Sequence, residues 1–106
     1  MSSLEKSKVK LEIIKFVRNN LEMFSSFSRV YLFGSVLYKD YQCFNDIDLL
    51  TIYSNSTRKI FDDIKQIKYR MSYQFSTPID LTVLSEKEDK QVNFLKKVEP
   101  FYIRLK

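Results

Sequence analysis

Only one glycine, Gly34, occurs in the chain, and it stands between the apolar run Val30-Tyr31-Leu32-Phe33 and Ser35. An apolar run of this kind reads as a strand covered on both faces. A residue without Cβ directly after it lets the chain turn sharply and lets a ligand come close to the backbone. Ten residues separate Ser35 from a second strand, Asp46 to Tyr53, which opens Asp46-Ile47-Asp48 and runs on through Leu49, Leu50 and Ile52. The fold must therefore place a tight turn and an acidic strand start around a shared sheet.

Alternate residues of a strand point to one face, so Asp46 and Asp48 present two carboxylates together while Ile47 faces the other way. Adjacent carboxylates repel, and a divalent cation between them relieves that repulsion. Mg²⁺ suits such a place because it takes hard oxygen ligands and keeps substrate phosphates in its shell. If Ser35 starts a short helix, its hydroxyl and the first free amides offer an anion site. A third acid, Asp80, falls in another apolar run, Ile79 to Leu84, and neither acidic strand contains an arginine. Acids within apolar strands are costly to desolvate without a partner, so the set has the layout of a metal-dependent phosphoryl-transfer site.

The string Gly34-Ser35, ten residues, Asp46-Ile47-Asp48 resembles the signature of the DNA polymerase β nucleotidyltransferase superfamily. Within it the likeness is to the minimal nucleotidyltransferases, small prokaryotic proteins often partnered with a HEPN-domain protein. Pro78-Ile79-Asp80-Leu81-Thr82-Val83-Leu84 resembles the strand that carries their third carboxylate. Phe94-Leu95-Lys96-Lys97-Val98-Glu99 and the run from Phe101 to Leu105 are similar to their closing helix and terminal strand, so the likeness spans most of the chain.

The resemblance implies an α/β fold, a small mixed sheet flanked by helices, like the polymerase β palm. It also implies two Mg²⁺ ions bridged by Asp46 and Asp48, with Asp80 completing the metal site and helping to take the acceptor's proton. Gly34 and Ser35 would hold the β and γ phosphates of the donor, ATP. The product would be AMP on a hydroxyl, with a HEPN-type ribonuclease toxin modified on tyrosine as the expected acceptor and this chain as its antitoxin. RNA or a small molecule is an alternative acceptor. The chain departs from many relatives at Val36-Leu37-Tyr38-Lys39, where they carry an Arg-x-Arg-Gly type sequence. That departure keeps open a second reading, a non-catalytic binding module that neutralises a partner by occlusion.

Composition narrows the chemistry. A chain of 106 residues is expected to form one domain, 1–106, with a core of its own. There is no histidine, which removes serine-histidine hydrolases, histidine general bases and histidine-ligated zinc in one step. The single cysteine, Cys43, has no internal disulfide partner and points to a reducing, cytoplasmic setting. No apolar run approaches a membrane span, and Met1 to Lys10 is too polar for a signal peptide. The net charge of +5 comes from lysines dispersed over several helices. Such a surface is compatible with nucleotides, RNA or an acidic protein, and without a compact basic cluster it reads as ordinary solvated surface.

In chain order, residues 4 to 25 read as an amphipathic helix with Ile13, Ile14, Phe16, Val17, Leu21 and Phe24 on its apolar side. One or two helical turns over 35 to 40 and a loop over Asp40 to Asn45 join the first two strands. Ser54 to Thr57 supplies helix start signals, and Ile60, Ile64, Ile67 and Met71 mark the buried face of a helix from Arg58 to about Ser72. Ser85 with Glu88 reads as a capping box for a helix from about Glu86 to Glu99, its core side Val92, Leu95 and Val98, ended by Pro100. A short edge strand follows. Tyr38, Tyr41 and Phe44 read as loop anchors, Lys39 as a solvated lysine and Cys43 as structural. Aromatic residues make up 15% of the chain, more than a small domain can hide, so an exposed apolar patch facing a protein partner is expected.

Overall fold

The computed structural model describes residues 3–38 and 46–106. Its four strands, β1 (Arg29–Phe33), β2 (Ile47–Tyr53), β3 (Ile79–Ser85) and β4 (Tyr102–Arg104), form one sheet in the order β3-β2-β1-β4. β2 runs parallel to β3, and β1 runs antiparallel to both β2 and β4. The parallel pair needs a crossover, which α3 (Arg58–Phe75) supplies. This is the small mixed sheet with flanking helices that the sequence implies.

Strand alternation gives the sheet two unlike faces. Val30, Leu32, Ile47 and Leu49 pack with Ile13 and Val17 of α1 (Ser3–Asn19) and with Ile60, Ile67 and Met71 of α3. Tyr31, Leu50 and Ile52 face the opposite way, toward Phe33, Leu84 and Tyr102 and toward Phe94 and Leu95. Full burial of each such aliphatic side chain stabilises the fold by about 1.5–3 kcal/mol, so β2, apolar on both faces over most of its length, is the structural centre.

Three helix boundaries differ from the sequence reading. The first helix ends at Asn19 and not at Ser25, because Asn20 leaves helical geometry (φ −130°, ψ 39°). Asn20 Nδ2 donates to the carbonyl of Phe16 at 2.7 Å, and Arg70 Nη2 of α3 donates to Asn20 Oδ1 at 3.1 Å. A 3-10 turn over Leu21–Phe24 then buries Met23 and Phe24 but leaves Leu21 exposed, contrary to the expected stripe. The segment after it is held from far along the chain, since Lys106 Nζ donates to the carbonyls of Phe24 (2.9 Å) and Phe27 (2.6 Å). The crossover helix runs on to Phe75 and stops where Ser76 takes a left-handed conformation (φ 49°).

The largest difference lies near the C-terminus. The capping box forms as expected, with Ser85 Oγ accepting from the Glu88 amide at 3.0 Å and Glu88 Oε1 from the Ser85 amide at 2.9 Å. The helix then splits into α4 (Glu86–Val92) and α5 (Phe94–Val98) around Asn93, which is left-handed at φ 52° and ψ 54°. An unbroken helix would bring Val92 and Leu95 onto one side and carry Phe94 away from it. The break instead turns Phe94 and Leu95 together onto the sheet, with the Phe94 ring edge-on to Phe33 at 5.1 Å, and leaves Val92 exposed.

Two smaller outcomes concern charge and exposure. Asp63 on the inner side of α3 is buried and is held by Lys59 Nζ at 3.0 Å and by the Ser26 hydroxyl. Phe61, Tyr69 and Tyr73 stand out from α3, as the high aromatic content implies. No described helix is long and apolar enough to cross a membrane. The loop over Asp40 to Asn45, with Tyr41, Cys43 and Phe44, and Lys39 before it, lies outside the described residues, as does the side chain of Tyr38.

Because Asn tolerates left-handed backbone far better than a β-branched residue, Asn93→Gly should keep wild-type stability. Asn93→Val should lose about 1–2 kcal/mol in chemical denaturation. Equal stability of the two variants would show that the break between α4 and α5 is not fixed by this residue.

Candidate functional site

The register of the sheet brings the acids together. Asp48 is level with Phe33, the last residue of β1, on one side and with Asp80 of β3 on the other. Asp46 precedes β2 by one residue and, two positions from Asp48, projects to the same side. One carboxylate oxygen from each of Asp46, Asp48 and Asp80 lies within 4.8 Å of the other two. None of the three forms an ion pair among the described residues.

Their electrostatics follow from that crowding. The Asp48 carboxyl is pushed up from 3.8 to about 7, first by its burial and then by the charges of Asp46 and Asp80 and by the hydrogen bond that its protonated form donates to Asp80. The amide of Ser35 donates to it and opposes the rise. A set of hard oxygens that resists full ionisation by itself fits a divalent cation, and Mg²⁺ in particular. Asp46, Asp48 and Asp80 are the residues that would hold it.

Gly34 has φ +87°, a conformation that residues with a side chain rarely adopt. A Cβ placed there would lie 2.1 Å from Asp48 Oδ2 and 3.0 Å from Asp48 Cγ. The space that the missing side chain leaves is thus filled by the Asp48 carboxylate. The Gly34 amide donates to the carbonyl of Phe101 at 3.4 Å, and the Ser35 amide is the one that donates to Asp48. Behind them, the four-residue helix α2 (Ser35–Tyr38) sets Val36 fully into the core.

Gly34, Ser35 and Asp48 form one side of an open cleft of about 530 Å³. Lys97, Glu99 and Phe101 border it from the segment after Asn93, with Phe33 and Val98 as apolar wall. All five residues expected at the site are therefore gathered at one end of the sheet, three as a carboxylate cluster and Gly34 and Ser35 beside Asp48. Lys97, Glu99 and Phe101 were not anticipated as site residues. Helical periodicity places Lys97 on an outer face, and only the turn at Asn93 brings it to the cleft. The sequence signal for that turn is the Asn itself, a residue that favours left-handed helix ends.

The family model for the nucleotidyltransferase domain matches residues 12–102. No curated protein sequence matches the chain significantly. Among solved structures, a proposed nucleotidyltransferase from Sulfolobus solfataricus is similar with a TM-score of 0.51 at 21% identity, over 93% of this chain and 84% of its own. A variant of the toxin-antitoxin complex MntA-HpeT gives a TM-score of 0.55 at 20% identity, over 90% of this chain and 70% of that one. The complex of tri-AMPylated Shewanella oneidensis HEPN toxin with MNT antitoxin gives 0.51 at 19% identity, over 100% and 72%. At these identities the likeness is one of fold.

The raised Asp48 carboxyl sets the pH behaviour of the metal-free protein. Its folded value near 7 lies above the ordinary 3.8, so the stability it contributes is full below about pH 4 and is lost as pH rises through about 7. Thermal denaturation in EDTA should show wild type falling across this window and Asp48→Asn falling less. Above it, Asp48→Asn should be the more stable protein, and Mg²⁺ should raise the wild type more than the variant. Identical pH profiles for the two would contradict the crowded-carboxylate description.

Proposed function

Because the chain belongs to the nucleotidyltransferase domain family, we propose that it acts as a single transferase domain that moves AMP from ATP onto a hydroxyl of a protein partner. The observation that carries this reading is the convergence of Asp46, Asp48 and Asp80 on one side of a cleft whose turn residue, Gly34, has no side chain. Asp46 and Asp48 would hold the divalent cations, two Mg²⁺ ions in this reading, with Asp80 completing the metal site. When bound, the cations supply charge neutralisation and alignment of the attacking and leaving oxygens.

The chain's own groups account for the rest of the step. Asp80 is exposed at the sheet edge, so an incoming hydroxyl can reach it, and it takes the hydroxyl proton. The acceptor oxygen bonds to the α phosphorus, the bond from that phosphorus to the β-side oxygen breaks, and pyrophosphate leaves with the electron pair. In this reading the Ser35 hydroxyl beside Gly34 would meet the departing phosphates, and Phe33, Val98 and Phe101 would give the nucleoside an apolar wall.

A protein acceptor is supported by the fold likeness to the antitoxin bound to tri-AMPylated HEPN toxin. The partner we propose is a HEPN-type ribonuclease toxin, silenced in the cytoplasm by AMP on tyrosine. A second reading, neutralisation by occlusion alone, is favoured by one feature. The Gly34 and Ser35 amides are already engaged, and Val36 after them is buried rather than offered to a ligand.

Mass spectrometry separates the two. A HEPN-type toxin incubated with substoichiometric amounts of this protein, ATP and Mg²⁺ should gain AMP-sized increments and stay silent after the protein is removed. Asp46→Ala, Asp48→Ala and the double variant should lose activity to similar extents, since the carboxylates work as one unit. If the folded double variant neutralises the toxin as well as wild type does, transfer is not the mechanism.

A further inference from the structure

We propose that Lys97 is the residue that binds the phosphate charge of the donor nucleotide, from the α5 side of the cleft. The inference rests on the nucleotidyl-transfer reading above and assigns a substrate-binding role within it. Lys97 borders the same cleft as Gly34, Ser35 and Asp48. Its ammonium makes no ion pair or hydrogen bond among the described residues, although Glu99 borders the same cleft two positions on. The other charged residues that line the cleft among the described ones, Asp48 and Glu99, are carboxylates, and Asp46 and Asp80 add negative charge beside them.

A polyphosphate entering that field is repelled unless cations face it. Among the described residues the turn side of the cleft has little to give. The Gly34 amide is bonded to Phe101, the Ser35 amide to Asp48, and Val36 is in the core, which leaves one hydroxyl. Lysine on a flexible stem is a compact charge suited to phosphate oxygens. Its place is set by packing. Phe94 is fixed edge-on to Phe33 and Leu95 packs on the same sheet face, so the single turn of α5 delivers Lys97 to the cleft and leaves Lys96 outside it.

The test is calorimetric binding of AMP, ADP and ATP, each with Mg²⁺, to wild type and to variants at an exposed position that should not disturb folding. Loss of one charge-assisted hydrogen bond predicts that Lys97→Ala weakens ATP about tenfold or more, ADP less, and AMP hardly at all. Lys97→Arg should restore most of the ATP affinity, and Lys96→Ala should match wild type. If wild type binds ATP tightly and Lys97→Ala binds it within about twofold, less than one charged hydrogen bond is worth, the role of Lys97 is overturned while nucleotidyl transfer stands. Equal weakening of all three nucleotides would also overturn it, since that marks packing and not charge. If wild type binds none of them, this inference and the transfer reading fall together.

Discussion

The Asp48 carboxylate lies against the bare Cα of Gly34, and this contact joins the end of β1, the start of β2 and the first turn of α2. No other residue type fits at position 34, since a side chain there would overlap the carboxylate and the backbone is left-handed as well. The pairing of Phe33 with Asp48 fixes the height of the acid on the sheet, and the parallel pairing of Asp48 with Asp80 brings the third acid to the same level. One steric vacancy thus determines where negative charge accumulates. Among the described residues the charge is then left without a cationic partner, a state the fold tolerates by holding Asp48 closer to its neutral form.

The sheet separates stability from chemistry. On one face, α1 and α3 close over Leu32, Ile47 and Leu49, and this side holds most of the buried apolar side chains. The other face is only partly covered, by the short α5 and by the aromatic contacts of Tyr31 with Tyr102 and Phe33 with Phe94. Asp48 and Asp80 project to that half-covered face, at the end where the cleft opens. Arg29, paired at 2.9 Å with both Glu86 and Asp89, ties α4 to the start of β1 and keeps the covering segment in place. A substitution in the closed face should act mainly on folding, whereas one at the cleft should act on binding and, at Asp48, on the pH dependence of stability as well.

Much of this was legible in the sequence where the signal is local or periodic. The apolar runs gave β1, β2 and β3, the spacing of Ile60, Ile67 and Met71 gave α3, and Ser85 with Glu88 gave the start of α4. The grouping of Asp46 with Asp48 followed from strand alternation, and the resemblance implied that Asp80 joins them, while the strand pairing that does so is seen only in the structure. What periodicity cannot carry is the outcome of long-range contacts. Asn20 ends α1 because Arg70, fifty residues on, holds its side chain, and Lys106 clasps the carbonyls of Phe24 and Phe27 from the C-terminus. Asn93 likewise splits a helix whose hydrophobic pattern reads as continuous, so Lys97 reaches the cleft from a position that a helical wheel assigns to solvent. A lone glycine after a strand reads as room for a phosphate, whereas in the structure the Asp48 carboxylate fills the space at Gly34.

In the proposed reading the three carboxylates would hold metal and nucleotide together at one site. The most direct measurement is a crystal structure with Mn²⁺ and a non-hydrolysable ATP analogue, using the anomalous signal of the metal to locate it. Metal density is expected among Asp46, Asp48 and Asp80, with the analogue's phosphates running from it past Ser35 into the cleft bordered by Lys97 and Phe101. Metal and analogue bound elsewhere, with Asp48 and Asp80 still sharing their hydrogen bond, would contradict it.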